Sequence, residues 1–166
     1  KNRDRGELSD REVAAIAIPF FRRVGDVAQQ YDVMICLEPN PPRYGANFMT
    51  SCAETAQVVE QVAHPSIRMQ FDTGALAING EDPFSVLQDC STLIGHIHAS
   101  EPDLLPLGDG TTDHSSMSAA VRKYLPNHVV SIEMLATKHE AHVLSIDRAL
   151  QAAIAHYRNS EVGETA

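Results

Sequence analysis

The sequence predicts a parallel α/β fold, and three observations carry that reading. Short apolar runs and amphipathic segments alternate four times along the 166 residues. The stretches joining successive runs are long enough for parallel crossovers. The runs themselves are almost continuously apolar, as expected of strands covered on both faces.

Ser9 and Glu12 form an N-terminal capping pattern. Val13, Ile16, Phe20, Val24 and Val27 then recur near helical period, predicting a helix over 10–31 with a kink at Pro19. Val33–Leu37 reads as a strand, stopped by Glu38-Pro39 and the prolines at 41 and 42. A second capping pattern at Ser51 and Glu54 opens a helix through Val58, Val59 and Val62, ended by His64-Pro65. Ile67–Phe71 is the second strand, closed by Asp72-Thr73-Gly74. Asp82-Pro83 places a cap before a first-turn proline and starts a helix to about Cys90. Leu93–His98 is the third strand, Asp113 caps a helix to about Tyr124, and Val129–Met134 is the fourth strand. A last helix is expected over 138–157. Residues 1–160 then make one domain, and 161–166 a frayed tail.

Composition narrows the function. The formal charge is −9 and no basic cluster appears, which argues against a nucleic-acid or polybasic membrane partner. No apolar run approaches the roughly 20 residues of a membrane span. Cys36, Cys52 and Cys90 are odd in number and form no CxxC pair, as expected of reduced thiols in a cytoplasmic protein.

Strand alternation then selects a site. Residues two apart share a face, so Cys36 pairs with Glu38, Gln70 with Asp72, His96 with His98, and Ser131 with Glu133. The opposite face holds Ile35, Leu37, Met69, Phe71, Ile97, Val130 and Ile132. The polar faces therefore converge at the C-terminal strand ends, where parallel α/β folds build their sites. Two carboxylates 4 Å apart repel by about 4 kcal/mol at an effective dielectric near 20. Three of them, Glu38, Asp72 and Glu133, need a compensating charge. One divalent ion bound by these three and His98 supplies it. Oxygen donors with a single imidazole suit Mn²⁺ first, with Mg²⁺, Co²⁺ and Zn²⁺ as alternatives. A lone strand histidine is more often a hydrogen-bonded core residue, and His96 is read that way.

The segments LEPNPPRYGANF, IRMQFDTGALAING, IGHIHASEPDLLPLGDG and VVSIEML resemble the sugar (phosphate) isomerase/epimerase family of the xylose-isomerase-like TIM-barrel superfamily. Its members include ketose 3-epimerases, hydroxypyruvate isomerase and inosose dehydratase. The ligand spacings of 34, 26 and 35 residues fit the ketose epimerases. The resemblance implies that this chain is the C-terminal half of a (β/α)₈ barrel, with strands five to eight. It implies a homo-oligomer or an N-terminal half-barrel to cover the open side. It also implies a small sugar or ketose substrate, phosphorylated or free, with Glu38 and Glu133 exchanging a proton through a metal-stabilised enediolate. A metal-dependent dehydratase of a cyclic polyol is the alternative enzyme, and a non-catalytic metal- or sugar-binding protein or inactive fragment the alternative from another class. Asn40, Glu101 and His114 are candidate substrate contacts; a turn, a solvated loop carboxylate and first-turn helix chemistry are their plainer readings. Two positions depart from the ketose-epimerase pattern. Ala75 stands where a substrate-binding His is expected, and Leu104 where an Arg is expected.

Overall fold

The computed structural model describes residues 3–158. Its centre is a four-stranded sheet in the order β1-β2-β3-β4, with every neighbouring pair parallel. The strands are β1 (Ile35–Leu37), β2 (Ile67–Asp72), β3 (Ile94–Ser100) and β4 (Val130–Glu133). Six helices accompany them: α1 (Asp10–Gln30), α2 (Cys52–Val62), α3 (Thr73–Asn79), α4 (Pro83–Cys90), α5 (His114–Tyr124) and α6 (His142–Tyr157). This is the expected parallel α/β architecture.

Local chemistry explains most element boundaries. Ser9 and Glu12 make the full reciprocal capping box at the start of α1, which continues through Pro19. At α2 only half of the expected box forms. Ser51 Oγ accepts from Glu54 N, but the Glu54 carboxylate accepts from Thr50 N and Thr50 Oγ1. Val33 donates its N–H back to Ala28 O, so the chain is still finishing α1 there and β1 begins only at Ile35. α3 was not expected. Asp72 ends β2 and also caps this helix, its Oδ1 accepting from Ala75 N. Four residues assigned to the last helix, Lys138–Ala141, lie outside it. No side chain caps at Ala141, and Glu140 turns instead to Arg148, which also binds Asp109.

The helix-facing side of the sheet carries the core. Ile67, Met69 and Phe71 of β2 and Ile97 of β3 are fully buried against Val62, Leu76, Leu87 and Ala120. A smaller cluster joins Ala99, Leu107 and Ala149 under α6. The other side of the sheet carries Gln70, Asp72 and His98. Apolar side chains remain exposed at both outer edges, among them Val27, Val33 and Met34 beside β1 and Val129, Leu144 and Ile154 around β4 and α6. No helix among the described residues is long and apolar enough to cross a membrane. The expected frayed tail, 161–166, lies outside the described residues.

Candidate metal centre

Register places the four expected ligands on a staircase rather than in one row. Leu37 pairs with Met69, so Glu38, one residue past β1, stands level with Gln70. Asp72 pairs with His98, and His98 with Ser131. Glu133 pairs with Ser100, one step further along, because β3 extends two residues beyond His98. A stagger of this kind is what tilted strands of a barrel produce.

The stair converges. One donor atom from each of Glu38, Asp72, His98 and Glu133 lies within 4.8 Å of all the others. His98 Nδ1 is 3.2 Å from Glu133 Oε2, 3.7 Å from Asp72 Oδ2 and 3.9 Å from Glu38 Oε1. Donors opposite one another on a cation with bonds of about 2.0–2.2 Å stand roughly 4.0–4.4 Å apart. Adjacent donors on the same cation stand closer, at roughly 3 Å, so the distances of 3.2, 3.7 and 3.9 Å from His98 Nδ1 fall between the two.

Asp72 gives the most specific indication. Its Oδ1 is saturated, accepting from Ala75 N at 2.7 Å and Ser100 Oγ at 2.9 Å. Ser100 Oγ is in turn fixed by Gly74 N, and Thr73 Oγ1 clamps Ser100 through both its N–H and its carbonyl. Gly74 is required here, since a Cβ would stand 2.7 Å from Ser100 Oγ and 2.9 Å from Glu101 O. Asp72 Oδ2, in contrast, is buried with no hydrogen-bond partner. A buried unpaired polar atom costs about 1–3 kcal/mol, more when charged. An ion at the convergence point satisfies it, and the donor set fits a divalent cation.

Electrostatics agree. Burial, then the charges of Asp72 and Glu133, push the Glu38 carboxyl up to about 7, against the opposing pull of His98 and Arg3. Burial also raises Asp72, partly offset by its hydrogen bonds from Ala75 and Ser100. A carboxyl whose folded pKa exceeds its unfolded value of about 4.3 binds extra protons in the folded state, so stability falls as pH rises between the two. Metal-free chain is thus expected to lose thermal stability from pH 5 to pH 8, with a smaller loss in Glu38→Gln. The increment added by Mn²⁺ is expected to grow over the same range, because the ion competes with that proton. Thermal unfolding in EDTA and in Mn²⁺ checks both signs, and identical pH slopes for wild type and Glu38→Gln would contradict them.

A cavity of about 410 Å³ opens beside the cluster. Glu38, Asp72 and Glu133 form one side, and Pro39, Asn40, Tyr44, Ala75, Leu104 and Leu135 contribute to the rest. Asn40, an expected substrate contact, lines this space and is held through Asn40 N to Met49 O. Ala75 and Leu104, the two departures noted in the sequence, both face it. Asp103 and Leu104 are consecutive non-glycine residues in left-handed conformation, at φ 59° and 54°. Such residues cost about 1–3 kcal/mol each and need outside support. Asp103 N donates to Tyr44 Oη, Arg43 pairs with Asp103, and Leu135 N donates to Leu104 O.

Glu101, an expected substrate contact, lines this same cavity, while its carboxylate bonds His114 rather than the four-residue cluster. Glu101 is 1% exposed, and its carboxylate accepts from Gly108 N, Thr112 N and His114 Nε2 at 3.0 Å each. Burial would raise its pKa, but these bonds outweigh burial and hold it below the usual carboxylate range. His114 is depressed by burial despite Glu101, so a neutral ring donates from Nε2 and accepts at Nδ1 from Tyr157 Oη. The pair pins the 108–112 turn to α5 and α6. A Cβ at Gly110 would strike Glu101 Oε2. Arg68 donates to Thr92 O, and burial pushes the Cys36 thiol up.

A family model described as xylose isomerase-like TIM barrel matches residues 2–159. The chain belongs to this family. A relative, the D-psicose 3-epimerase of Enterocloster bolteae, is 22% identical over 108 residues, 65% of this chain and 36% of that protein. The solved structure of D-allulose 3-epimerase from Methylomonas sp. in complex with D-allulose superposes with a TM-score of 0.81 at 21% identity, covering 94% of this chain and 59% of that one. The IOLI protein with a bound zinc atom superposes with a TM-score of 0.74 at 16% identity, covering 93% and 60%. These structural likenesses show a shared barrel fold, of which this chain is a part. It spans between about a third and three-fifths of the length of these relatives.

Proposed function

We propose that this chain carries the metal centre of a sugar isomerase or epimerase, with Glu38, Asp72, His98 and Glu133 as ligands and Mn²⁺ the preferred ion. The observation that carries the reading is Asp72 Oδ2, a buried oxygen without a partner aimed into three other donors. When bound, a divalent cation supplies charge neutralisation for the carboxylates and Lewis-acid polarisation of a substrate carbonyl. Glu38 and Glu133 are the proton-transferring groups, removing and returning a proton at the carbon next to that carbonyl. A carboxylate that holds a cation gives up base strength to the ion's charge and gains a fixed position beside the reacting carbon. Asn40 offers its amide to a substrate hydroxyl in the adjoining cavity. Leu104, Ala75 and Leu135 offer apolar contact there instead of charge.

The apolar edges at β1 and β4 fit a second set of β/α units, from a longer chain or from another copy of this one. Relatives named for D-psicose and D-allulose make free ketohexoses the first substrates to test. The chain is incubated with Mn²⁺ and D-fructose in D₂O and followed by NMR. Deuterium at C3, with inversion there, is the expected result. Loss of water without prior exchange would favour a dehydratase. Tight Mn²⁺ binding with neither reaction would leave a binding protein in place of an enzyme.

A further inference from the structure

Leu104 lines the cavity beside the four ligands, yet neither backbone nor core packing accounts for a leucine there. Its φ is 54°, directly after Asp103 at 59°. Glycine or asparagine adopts that left-handed conformation far more readily than leucine does. The backbone is nevertheless held in it from several sides. Leu104 N donates to Glu101 O at 3.0 Å, and Leu104 O accepts from Leu135 N at 2.8 Å. Tyr44 Oη fixes the preceding residue, accepting from Asp103 N at 2.7 Å. Among the described residues, neither hydrophobic cluster includes Leu104, and the side chain is only partly buried. A strained residue that supports no core and faces a site points to function.

The surroundings of Leu104 decide what it can touch. Ala75 and Leu135 add to the same apolar lining. The charged side chains nearby are engaged elsewhere. Asp103 pairs with Arg43, and the Glu101 carboxylate accepts from Gly108 N, Thr112 N and His114 Nε2. A substrate hydroxyl set against Leu104 would therefore leave water without regaining a partner. An alkyl carbon in the same place leaves water at a gain.

Taking the isomerase site as read above, on which this inference rests, we propose that Leu104 is a specificity-determining residue. The preferred substrate is a deoxy or alkyl-substituted α-hydroxy ketone. Its carbonyl and adjacent hydroxyl face Glu38, Asp72 and Glu133, and its unhydroxylated carbon meets Leu104. An apolar pocket rejects an added hydroxyl by no more than about 100-fold. Fully hydroxylated ketoses such as D-fructose are thus still turned over, but less well than a deoxy counterpart.

Ethyl hydroxymethyl ketone and dihydroxyacetone are a matched pair for the test. Both carry a carbonyl beside a hydroxymethyl group, and they differ by a methyl in place of a hydroxyl. Leu104→Asn is the variant, because asparagine is close in size, tolerates left-handed φ and supplies an amide. Leu104→Gly, which also suits that φ, serves should the first fail to fold. Solvent deuterium entering the hydroxymethyl carbon is followed by NMR at saturating Mn²⁺, with rates counted per hydroxymethyl group. In wild type, kcat/KM is expected to be about 10–100-fold higher for the ethyl ketone. In the variant the ratio is expected to fall toward one. A second readout needs no turnover. With Mg²⁺ in place of paramagnetic Mn²⁺ and ¹³C-labelled leucine methyls, an intermolecular NOE is expected between the ligand's ethyl group and Leu104. Its signals are identified by their loss in the variant. A wild-type ratio within about threefold of one overturns the role of Leu104 and leaves the isomerase reading standing. So does a ratio unchanged in a folded variant, or an ethyl group without an NOE to Leu104. Mn²⁺-loaded chain that exchanges neither ketone overturns the isomerase reading and, with it, this role.

Discussion

Asp72→Asn is expected to move two properties in opposite directions. Mn²⁺ affinity should fall by more than the roughly 10–100-fold typical of losing an outer-shell partner, because an anionic ligand is removed. Stability of the metal-free chain should rise, by about 1–3 kcal/mol. The reason is the division of labour within this carboxylate. Oδ1 caps α3 and binds Ser100, and asparagine retains an oxygen for both tasks. Oδ2 has no partner, and an amide N–H in its place can donate toward Glu38 or His98. Function at a site commonly holds back stability in this way. Calorimetric Mn²⁺ titration and urea unfolding in EDTA measure the two effects. Retained affinity, or a less stable metal-free variant, would contradict the assignment.

Glu133→Gln is expected to lower the rate of solvent deuterium exchange into substrate by about 10²–10⁴, the range of general acid–base catalysis. Its fold should persist. Glu133 ends β4 half-exposed, and its side-chain contact within hydrogen-bonding distance is His98 Nδ1 at 3.2 Å. The amide keeps the side chain's shape but can neither take nor return the proton at neutral pH. Circular dichroism and melting temperature in EDTA report the fold, and NMR the exchange. A folded variant exchanging at the wild-type rate would remove Glu133 from the proton-transfer role.

Much of this was legible in the residues because two simple periodicities coincide. Alternation along β2 and β3 puts Asp72 and His98 opposite the buried Phe71 and Ile97, and the strand pairing sets them side by side. Glu38 and Glu133 follow from the same rule at the outer strands. What escaped was decided by contacts distant in sequence or by competition between local rules. α3 was missed because Asp72 is at once the end of a strand and the cap of a helix. The start of the last helix was set too early because Glu140 is drawn to Arg148, and no capping side chain marks Ala141. β1 is shorter than its apolar run since Val33 still bonds to α1.

The site shows the same limit. Glu101 and His114 are expected substrate contacts, and Glu101 does line the cavity, but their hydrogen bonds run to Gly108, Thr112 and Tyr157. Only the folded turn reveals those partners. Gln70 carried the opposite signal. Its place two residues before Asp72 put it on the site's face, while a neutral amide drew no attention beside three carboxylates. Its contacts with Glu38 and His98, 32 and 28 residues away, appear only in the fold.

The measurement that bears most directly on the four-residue centre is the stoichiometry and affinity of Mn²⁺ for the wild-type chain, by elemental analysis and calorimetric titration after removal of bound metal. One ion per chain is expected, bound with release of protons that increases as pH falls toward 7. Failure to bind a specific divalent ion, or binding indifferent to substitution of Asp72, would contradict it.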